Sequence, residues 1–251
     1  MTTVRTETFP IGLDRLSRDK MARWAGATYL TYIALGAPSM ILQSRQIAWS
    51  DLTLTFLHIQ QGTQLFRLSF FLEILAIMFF LLATWSYFVL LKPVERNLAL
   101  LLVLLNLVGI AAESASAIIK YGALQCVVGN DLLHAFTPDQ MQAMSMLLLR
   151  VGGAGYTVAT LFYGAWLFPF GWLIYRSGFI PRFWGVLLIV DGALLFISFA
   201  QLCLFPGYAK WTTPFLPIEF LAEVGSAVWL VIKGADLPRS GFSDKVKPVS
   251  S

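Results

Sequence analysis

One stretch decides the fold of this chain: residues 65–91 read LFRLSFFLEILAIMFFLLATWSYFVLL. A helix rises about 1.5 Å per residue, so this run is long enough to cross a hydrocarbon core of about 30 Å. Two charged residues interrupt it, Arg67 and Glu73. The stretch predicts a membrane-spanning helix, and it raises the question of what Glu73 does there.

Further stretches share this length and apolar character. With 65–91 they predict spans at 22–43, 98–119, 141–175, 184–205 and 213–232. The composition agrees, because 57% of the 251 residues are hydrophobic and 13% are charged. A soluble fold with this composition would expose large apolar patches. The sequence therefore predicts an all-α, polytopic bundle of about six transmembrane helices, whose surrounding partner is the lipid bilayer.

The chain divides into three segments by composition. Residues 1–20 form a basic N-terminal segment, 21–234 the transmembrane domain, and 235–251 a polar tail that we expect to be disordered. No signal-peptide cleavage site follows the basic segment, so the first span is expected to stay in the membrane as an uncleaved anchor. The fourth span is too long for one straight crossing, which predicts either a bend at its Gly and Pro residues or an extension beyond the hydrocarbon.

Basic residues lie mainly on one side of the predicted bundle. The terminal segments and the connections at 92–97 and 176–182 hold most of the Lys and Arg, whereas the connections at 44–64 and 121–137 hold few. By the positive-inside rule both termini are cytoplasmic and the protein is a multi-pass protein of the cell membrane. The net charge of +4 is small for a nucleic-acid binder, and no such partner is expected.

Local signals fix some helix ends. The run Thr137-Pro138-Asp139-Gln140 predicts a capping box that starts the fourth span. Gly178 and Pro181 are typical of a helix end followed by a helix start. Pro214 and Pro217 mark the start of the sixth span, where they either open the helix or free carbonyls toward a cavity.

No metal or cofactor motif stands out, and no cofactor is expected. His58 and His134 fall in different connections, and no His, Cys or Asp spacing matches a metal site. Cys126 and Cys203 both fall near the predicted outer surface. The sequence leaves open whether they form a bridge or remain two thiols.

Six ionisable residues fall well inside the predicted spans, away from their ends. They are Glu73, Glu113, Arg150, Asp191, Glu219 and Glu223. An ionisable group inside lipid costs several kcal/mol unless it is paired or hydrated, so each is a candidate functional residue. With cytoplasmic termini, all of these except Asp191 fall in the outer half of the bilayer. We therefore expect an acidic cavity there that contains Arg150, with Tyr156 as a further ligand-binding residue.

The balance of charges suggests a role for the acids. One arginine neutralises one or two carboxylates, so the others must be protonated, hydrated or bound to a cation. This makes Glu223, Glu219 and Glu73 candidate proton donors. Glu219 and Glu223 also share a helix face, which suits a site better than helix packing. The alternative for Arg150 is an ion pair that merely joins two helices, and Asp191 is expected to be structural.

Three functions fit these residues. The first is binding or translocation of a small hydrophobic or amphiphilic molecule. The second is an acid-initiated cyclase or isomerase for an isoprenoid-like lipid, and the third is a non-catalytic membrane scaffold. The cyclase would use aromatic residues of the second and fourth spans as a wall, namely Phe66, Phe70, Phe71, Phe79, Phe80, Tyr156, Phe162, Tyr163, Trp166, Phe168 and Phe170. The residues leave these alternatives and the oligomeric state open.

Several short motifs carry a resemblance to a known family. They are MARWAG (21–26), Arg67 with Glu73, LKPVERNLAL (91–100), FTPDQ (136–140), GWLIYRSGFIPR (171–182) and WLVIKG (229–234). In these the chain resembles the bacterial integral-membrane domain-of-unknown-function family 4386. The resemblance implies a polytopic membrane fold and implies no activity. The chain departs from the family at 149–156, LRVGGAGY, where members often have an acidic residue and a His-Gly-Tyr-like step.

Overall fold

The computed structural model describes residues 18–129 and 135–235, which leaves out most of the segments 1–20 and 235–251 as well as His134. The described residues form seven α-helices and no strand. The helices are α1 (Arg18–Gln46), α2 (Leu52–Gln61), α3 (Thr63–Leu91), α4 (Arg96–Val128), α5 (Pro138–Ser177), α6 (Arg182–Leu204) and α7 (Leu216–Lys233), with short 3-10 turns at Pro206–Trp211 and Thr213–Phe215.

Six of these elements are long and apolar enough to cross a membrane, counting Thr213–Lys233 as the last. The predicted all-α fold with about six spans is confirmed, and the protein is a polytopic membrane protein. The helices extend beyond the predicted spans because polar residues at their ends continue the helical backbone.

The connection at 44–64 contains a helix that the sequence analysis did not predict. Helix α2 has only 10 residues and too few apolar positions to resemble a span. Its start is fixed by Asp51, whose carboxylate accepts a hydrogen bond from the Leu54 backbone N–H at 2.9 Å. The helix packs against α4 and α5 and covers one end of the bundle.

Helix α5 continues without a break for 40 residues, through Gly152, Gly153 and Pro169. At about 1.5 Å per residue it is about 60 Å long, roughly twice the hydrocarbon thickness. Its length agrees with one of the two predicted explanations, extension beyond the hydrocarbon. The helix supplies residues both to the membrane interior and to the end of the bundle that α2 covers.

The predicted helix ends of α5 and α6 are confirmed. The Thr137 hydroxyl accepts from the Gln140 backbone N–H at 3.3 Å, and the Gln140 side-chain oxygen accepts from the Thr137 backbone N–H at 2.9 Å. Gly178 ends α5 with φ of 72°, a left-handed conformation that favours glycine. Pro181 directly precedes α6.

Small residues let the helices approach closely. A Cβ atom at Gly171 of α5 would lie 2.5 Å from the Gly185 carbonyl oxygen of α6. A Cβ atom at Gly26 of α1 would lie equally close to the Ala227 carbonyl oxygen of α7. Such contacts are common between membrane helices, where van der Waals packing replaces the hydrophobic effect. They hold α1 against α7 near the start of α1.

Aromatic side chains fill the centre of the bundle. This central aromatic cluster consists of Tyr29, Tyr32, Phe80, Tyr87, Tyr163, Trp166 and Phe170. Trp166 and Phe170 stack with ring centroids 4.9 Å apart, and Tyr32 stacks on Phe80 at 4.3 Å. The cluster joins α1, α3 and α5 into one solid layer.

Candidate functional site: a polar cavity between five helices

A cavity of about 540 Å³ lies where α1, α3, α4, α5 and α7 meet. This volume is in the range of small-molecule sites. Polar and aromatic groups on its wall are Tyr32, Ser39, Gln43, Ser44, Trp49, Glu73, Glu113, Lys120, Tyr156 and Glu223. Apolar side chains share the wall, among them Ile33, Met40, Phe220 and Val224. The cavity therefore presents both carboxylates and an apolar surface.

One side of the cavity holds a closed polar network. The Lys120 ammonium lies 2.6 Å from Oε1 of Glu73, and both side chains are buried, with 13% and 10% of their surface exposed. The Gln43 side-chain N–H donates to Oε2 of Glu73 at 2.8 Å, and Lys120 donates to the Gln43 oxygen at 3.0 Å. Both oxygens of Glu73 therefore have partners, and its charge is matched by Lys120.

Helix packing directs Lys120 into this network. A Cβ atom at Gly152 would lie 2.5 Å from Cγ of Lys120, so glycine leaves room for the lysine stem to run along α5. The Ser116 hydroxyl donates to the Gly152 carbonyl at 2.5 Å and holds α4 and α5 together at this point. Because helical side chains tilt toward the helix N-terminus, Lys120 reaches back from the end of its span toward Glu73.

Glu113 is held by a tyrosine of the neighbouring helix. The Tyr163 hydroxyl donates to Oε2 of Glu113, and both side chains are buried. Gly109 makes this possible, since a Cβ atom there would lie 2.5 Å from the Tyr163 ring. The bond orients Glu113 at the boundary between the central aromatic cluster and the cavity.

Glu223 comes from the opposite wall. The Tyr29 hydroxyl lies close enough to the Glu223 carboxyl to interact with it, which links α1 to α7. Glu223 and Glu113 thus have the same arrangement, in which a carboxyl that lines the cavity is oriented by a tyrosine of the central aromatic cluster. The two lie on different helices, α7 and α4.

The structure brings together four of the predicted ligand-binding residues. Glu73, Glu113, Tyr156 and Glu223 all line the cavity. Glu219 does not line it, although it lies one turn before Glu223 on α7. The spacing of four residues correctly predicts that both acids lie on one face of the helix. Glu219, however, lies in the first turn of α7, which extends beyond the cavity.

The expectation that Arg150 would be the cation among the acids is wrong. Its side chain is exposed, and its guanidinium donates to the Trp49 backbone carbonyl at 3.2 Å. Two residues correspond to about 200° around a helix, so Arg150 lies nearly opposite Gly152, the residue that faces Lys120. The lysine therefore takes the position that was predicted for the arginine.

Lys120 and Gln43 were missed because both lie at the predicted ends of spans, where polar residues normally face water. The available signal was the Gly152-Gly153 pair on the next span, which leaves room on one helix face for a long lysine stem. Pro38 was also missed. It lies inside α1 among cavity-lining residues and removes one backbone hydrogen bond there.

Other predicted groups lie elsewhere. Of the aromatic residues proposed as a cyclase wall, all of them in the described part of the chain, Tyr156 alone lines the cavity. Asp191 is fully buried, and neither of its carboxyl oxygens has a hydrogen-bond partner in the described chain. Cys126 and Cys203 are free thiols, the first buried and the second exposed.

Comparison with known proteins places this architecture in a family. The family model described as "Domain of unknown function (DUF4386)" matches residues 24–234. The chain belongs to the DUF4386 family. An uncharacterized protein of Archaeoglobus fulgidus is 32% identical to it over 152 residues, which are 61% of this chain and 75% of the relative. No solved structure matches. The DUF4386 match spans all the cavity-lining residues.

Proposed function

We propose that this DUF4386 protein binds a small amphiphilic molecule in the cavity, as a binding or translocating membrane protein. The observation that carries the proposal is the mixture of residues that line the cavity. Carboxyl groups and apolar side chains face the same space of about 540 Å³, which suits a molecule with a polar head and an apolar body.

Exposed residues at the rim of the cavity indicate that a ligand can enter it from the surface of the bundle. Met40, Trp49 and Phe220 line the cavity, and 66%, 50% and 64% of their surfaces are exposed. Met40 and Phe220 lie on α1 and α7, the two helices that touch near Gly26 and Ala227. We infer that an apolar molecule enters between α1 and α7 at these exposed rim residues.

The inner end of the cavity, away from the rim, lies against packed aromatic residues, which favours a ligand that enters and leaves from the rim alone. Tyr163 and Tyr29 of the central aromatic cluster contact Glu113 and Glu223, and the stacked rings of that cluster pack behind these two acids. Translocation would require these rings to separate. With the termini in the cytoplasm, as the distribution of basic residues indicates, the cavity opens toward the outer half of the bilayer.

A fluorescent probe tests the proposal. A dansyl-labelled decyl chain is titrated against the full-length protein in nanodiscs of zwitterionic lipid. We expect saturable fluorescence that Ala37→Phe abolishes, because Ala37 lines the cavity and a phenyl ring there obstructs it. Ala193→Phe is the matched control, since Ala193 is an exposed residue of α6 that does not line the cavity.

The results separate the candidate functions. Saturable binding lost in Ala37→Phe and kept in Ala193→Phe supports a binding site in the cavity. Binding that is equal in both variants places the probe in lipid or on another surface and overturns the proposal. Conversion of a prenyl substrate by these membranes would favour the cyclase alternative instead, although only Tyr156 of its predicted aromatic wall lines the cavity.

A further inference from the structure

The charges on the cavity wall do not balance. Lys120 is the one cation among the lining residues, all of which are described, and it pairs with Glu73. Within residues 18–129 and 135–235 no ion pair reaches Glu113 or Glu223. Two carboxyl groups therefore face the cavity without a counter-ion, in a place where an unpaired charge is costly.

The hydrogen bonds leave these two carboxyls open on the cavity side. Tyr163 donates to Oε2 of Glu113, and no donor from the described residues reaches Oε1. Tyr29 interacts with the Glu223 carboxyl on the side of the central aromatic cluster. A carboxylate has about four acceptor positions, so each acid has capacity for a further donor or a positive charge.

Two tyrosines share the cavity wall with these acids. Tyr32 and Tyr156 both line the cavity, and each interacts electrostatically with both Glu113 and Glu223. Tyrosine rings attract cations through their negative faces, most strongly where water is excluded. The region between the acids thus combines two carboxyls with two aromatic rings, which is the chemistry that recognises an ammonium group.

We propose that the amphiphile bound by this cavity carries a cationic head group, an amine or quaternary ammonium, held between Glu113 and Glu223 and bounded by Tyr32 and Tyr156. The inference rests on the proposed binding function. The apolar body of the ligand lies toward Met40 and Phe220. The bound cation supplies the counter-charge that the protein itself lacks.

Binding of such a cation competes with protons. The titratable groups that interact electrostatically with the two acids are Tyr32 and Tyr156 for both acids, Tyr163, Glu73 and Lys120 for Glu113, and Tyr29, Tyr87, Glu219 and Asp191 for Glu223. Lys120 is the only cation among them and is bound to Glu73. In the absence of ligand a proton therefore takes the place of the missing counter-charge, and a cation that enters displaces it.

Competition experiments test the head-group preference. Decyltrimethylammonium, decanol and decyl sulfate have the same tail and displace the dansyl-decyl probe from the protein in zwitterionic nanodiscs. At equal membrane concentrations we expect the cation to displace the probe at least about tenfold more effectively than decanol, and the anion least effectively. Each competitor is also measured in empty nanodiscs to correct for its partitioning.

Variants assign the preference to residues. Glu113→Gln and Glu223→Gln remove a charge and keep the shape, so the advantage of the cation over decanol should fall to below about threefold in each. Glu219→Gln is the matched control on the same helix, because Glu219 does not line the cavity, and it should keep the wild-type preference. A thermal unfolding curve for each variant confirms that it is folded.

The outcomes distinguish the two proposals. If decanol displaces the probe as well as the cation does, while Ala37→Phe still abolishes binding, the cationic preference is wrong and the binding site stands. If Glu219→Gln lowers the preference as much as Glu223→Gln, the site is misplaced. If no competitor displaces the probe and Ala37→Phe has no effect, the proposed function itself fails.

Discussion

Lys120→Met should destabilise the protein far more than Arg150→Met, although both remove one positive charge from the same region. Lys120 contacts Oε1 of Glu73 at 2.6 Å and Gln43 at 3.0 Å, and its side chain is 13% exposed. Arg150 is exposed and donates one hydrogen bond to a loop carbonyl. Methionine keeps the packing of the lysine stem against Gly152, so the comparison isolates the charge.

The magnitude follows from burial. Removing one partner of a buried ion pair costs roughly 3–5 kcal/mol, whereas exposed pairs contribute about 0–1 kcal/mol. The exposures of 13% and 10% place the Lys120–Glu73 pair in the first group. We therefore expect Lys120→Met to lower the free energy of unfolding by about 3 kcal/mol or more, and Arg150→Met by less than about 1 kcal/mol.

A double-mutant cycle completes the test. Adding Glu73→Gln to Lys120→Met removes the orphaned charge, so the double variant should recover to within about 1 kcal/mol of the wild type. The free energy of unfolding is measured by titration with sodium dodecyl sulfate in mixed micelles. Equal effects of Lys120→Met and Arg150→Met, or a double variant no more stable than Lys120→Met, would show that no buried ion pair joins Lys120 and Glu73.

Three further predictions follow from the geometry. Gly109→Ala should cost about 1–3 kcal/mol of stability in the same titration, because the new Cβ atom overlaps the Tyr163 ring, and it should weaken probe binding by displacing Glu113. Thr137→Ala should cost about 0.5–2 kcal/mol through loss of the α5 capping box, with probe binding unchanged. Decyltrimethylammonium should bind more weakly as the pH is lowered, because protons compete for Glu113 and Glu223, whereas decanol titrations should show no such trend.

The sequence predicted the spans well because the physics behind them is local. Length and hydropathy identify a helix that must satisfy its own backbone in lipid, and this held for every span. The capping box at Thr137 and the glycine end at Gly178 were likewise predictable, since each depends on residues within one turn. Helix α2 was missed because a short helix without a span-like apolar run depends on its contacts with α4 and α5.

The cavity was predictable only in part. Depth along a span is set by counting residues, and this placed Glu73, Glu113 and Glu223 at a similar level. Rotation about each helix axis is set by packing, which the sequence does not reveal without knowledge of neighbours. Gly152 and Gly109 decided two such rotations, by giving room to Lys120 and to Tyr163. The expectation for Arg150 was wrong for the same reason: its depth along the span was suitable, but its side chain points away from the cavity because of the rotation of α5 about its axis.

A structure of the protein with a brominated-tail decyltrimethylammonium tests the central claim most directly. Anomalous diffraction from bromine locates the tail, and density locates the head. We expect bromine near Met40 and Phe220, with the ammonium between Glu113 and Glu223. Bromine found only on the lipid-facing surface, with the cavity filled by protein side chains or water, would contradict the account.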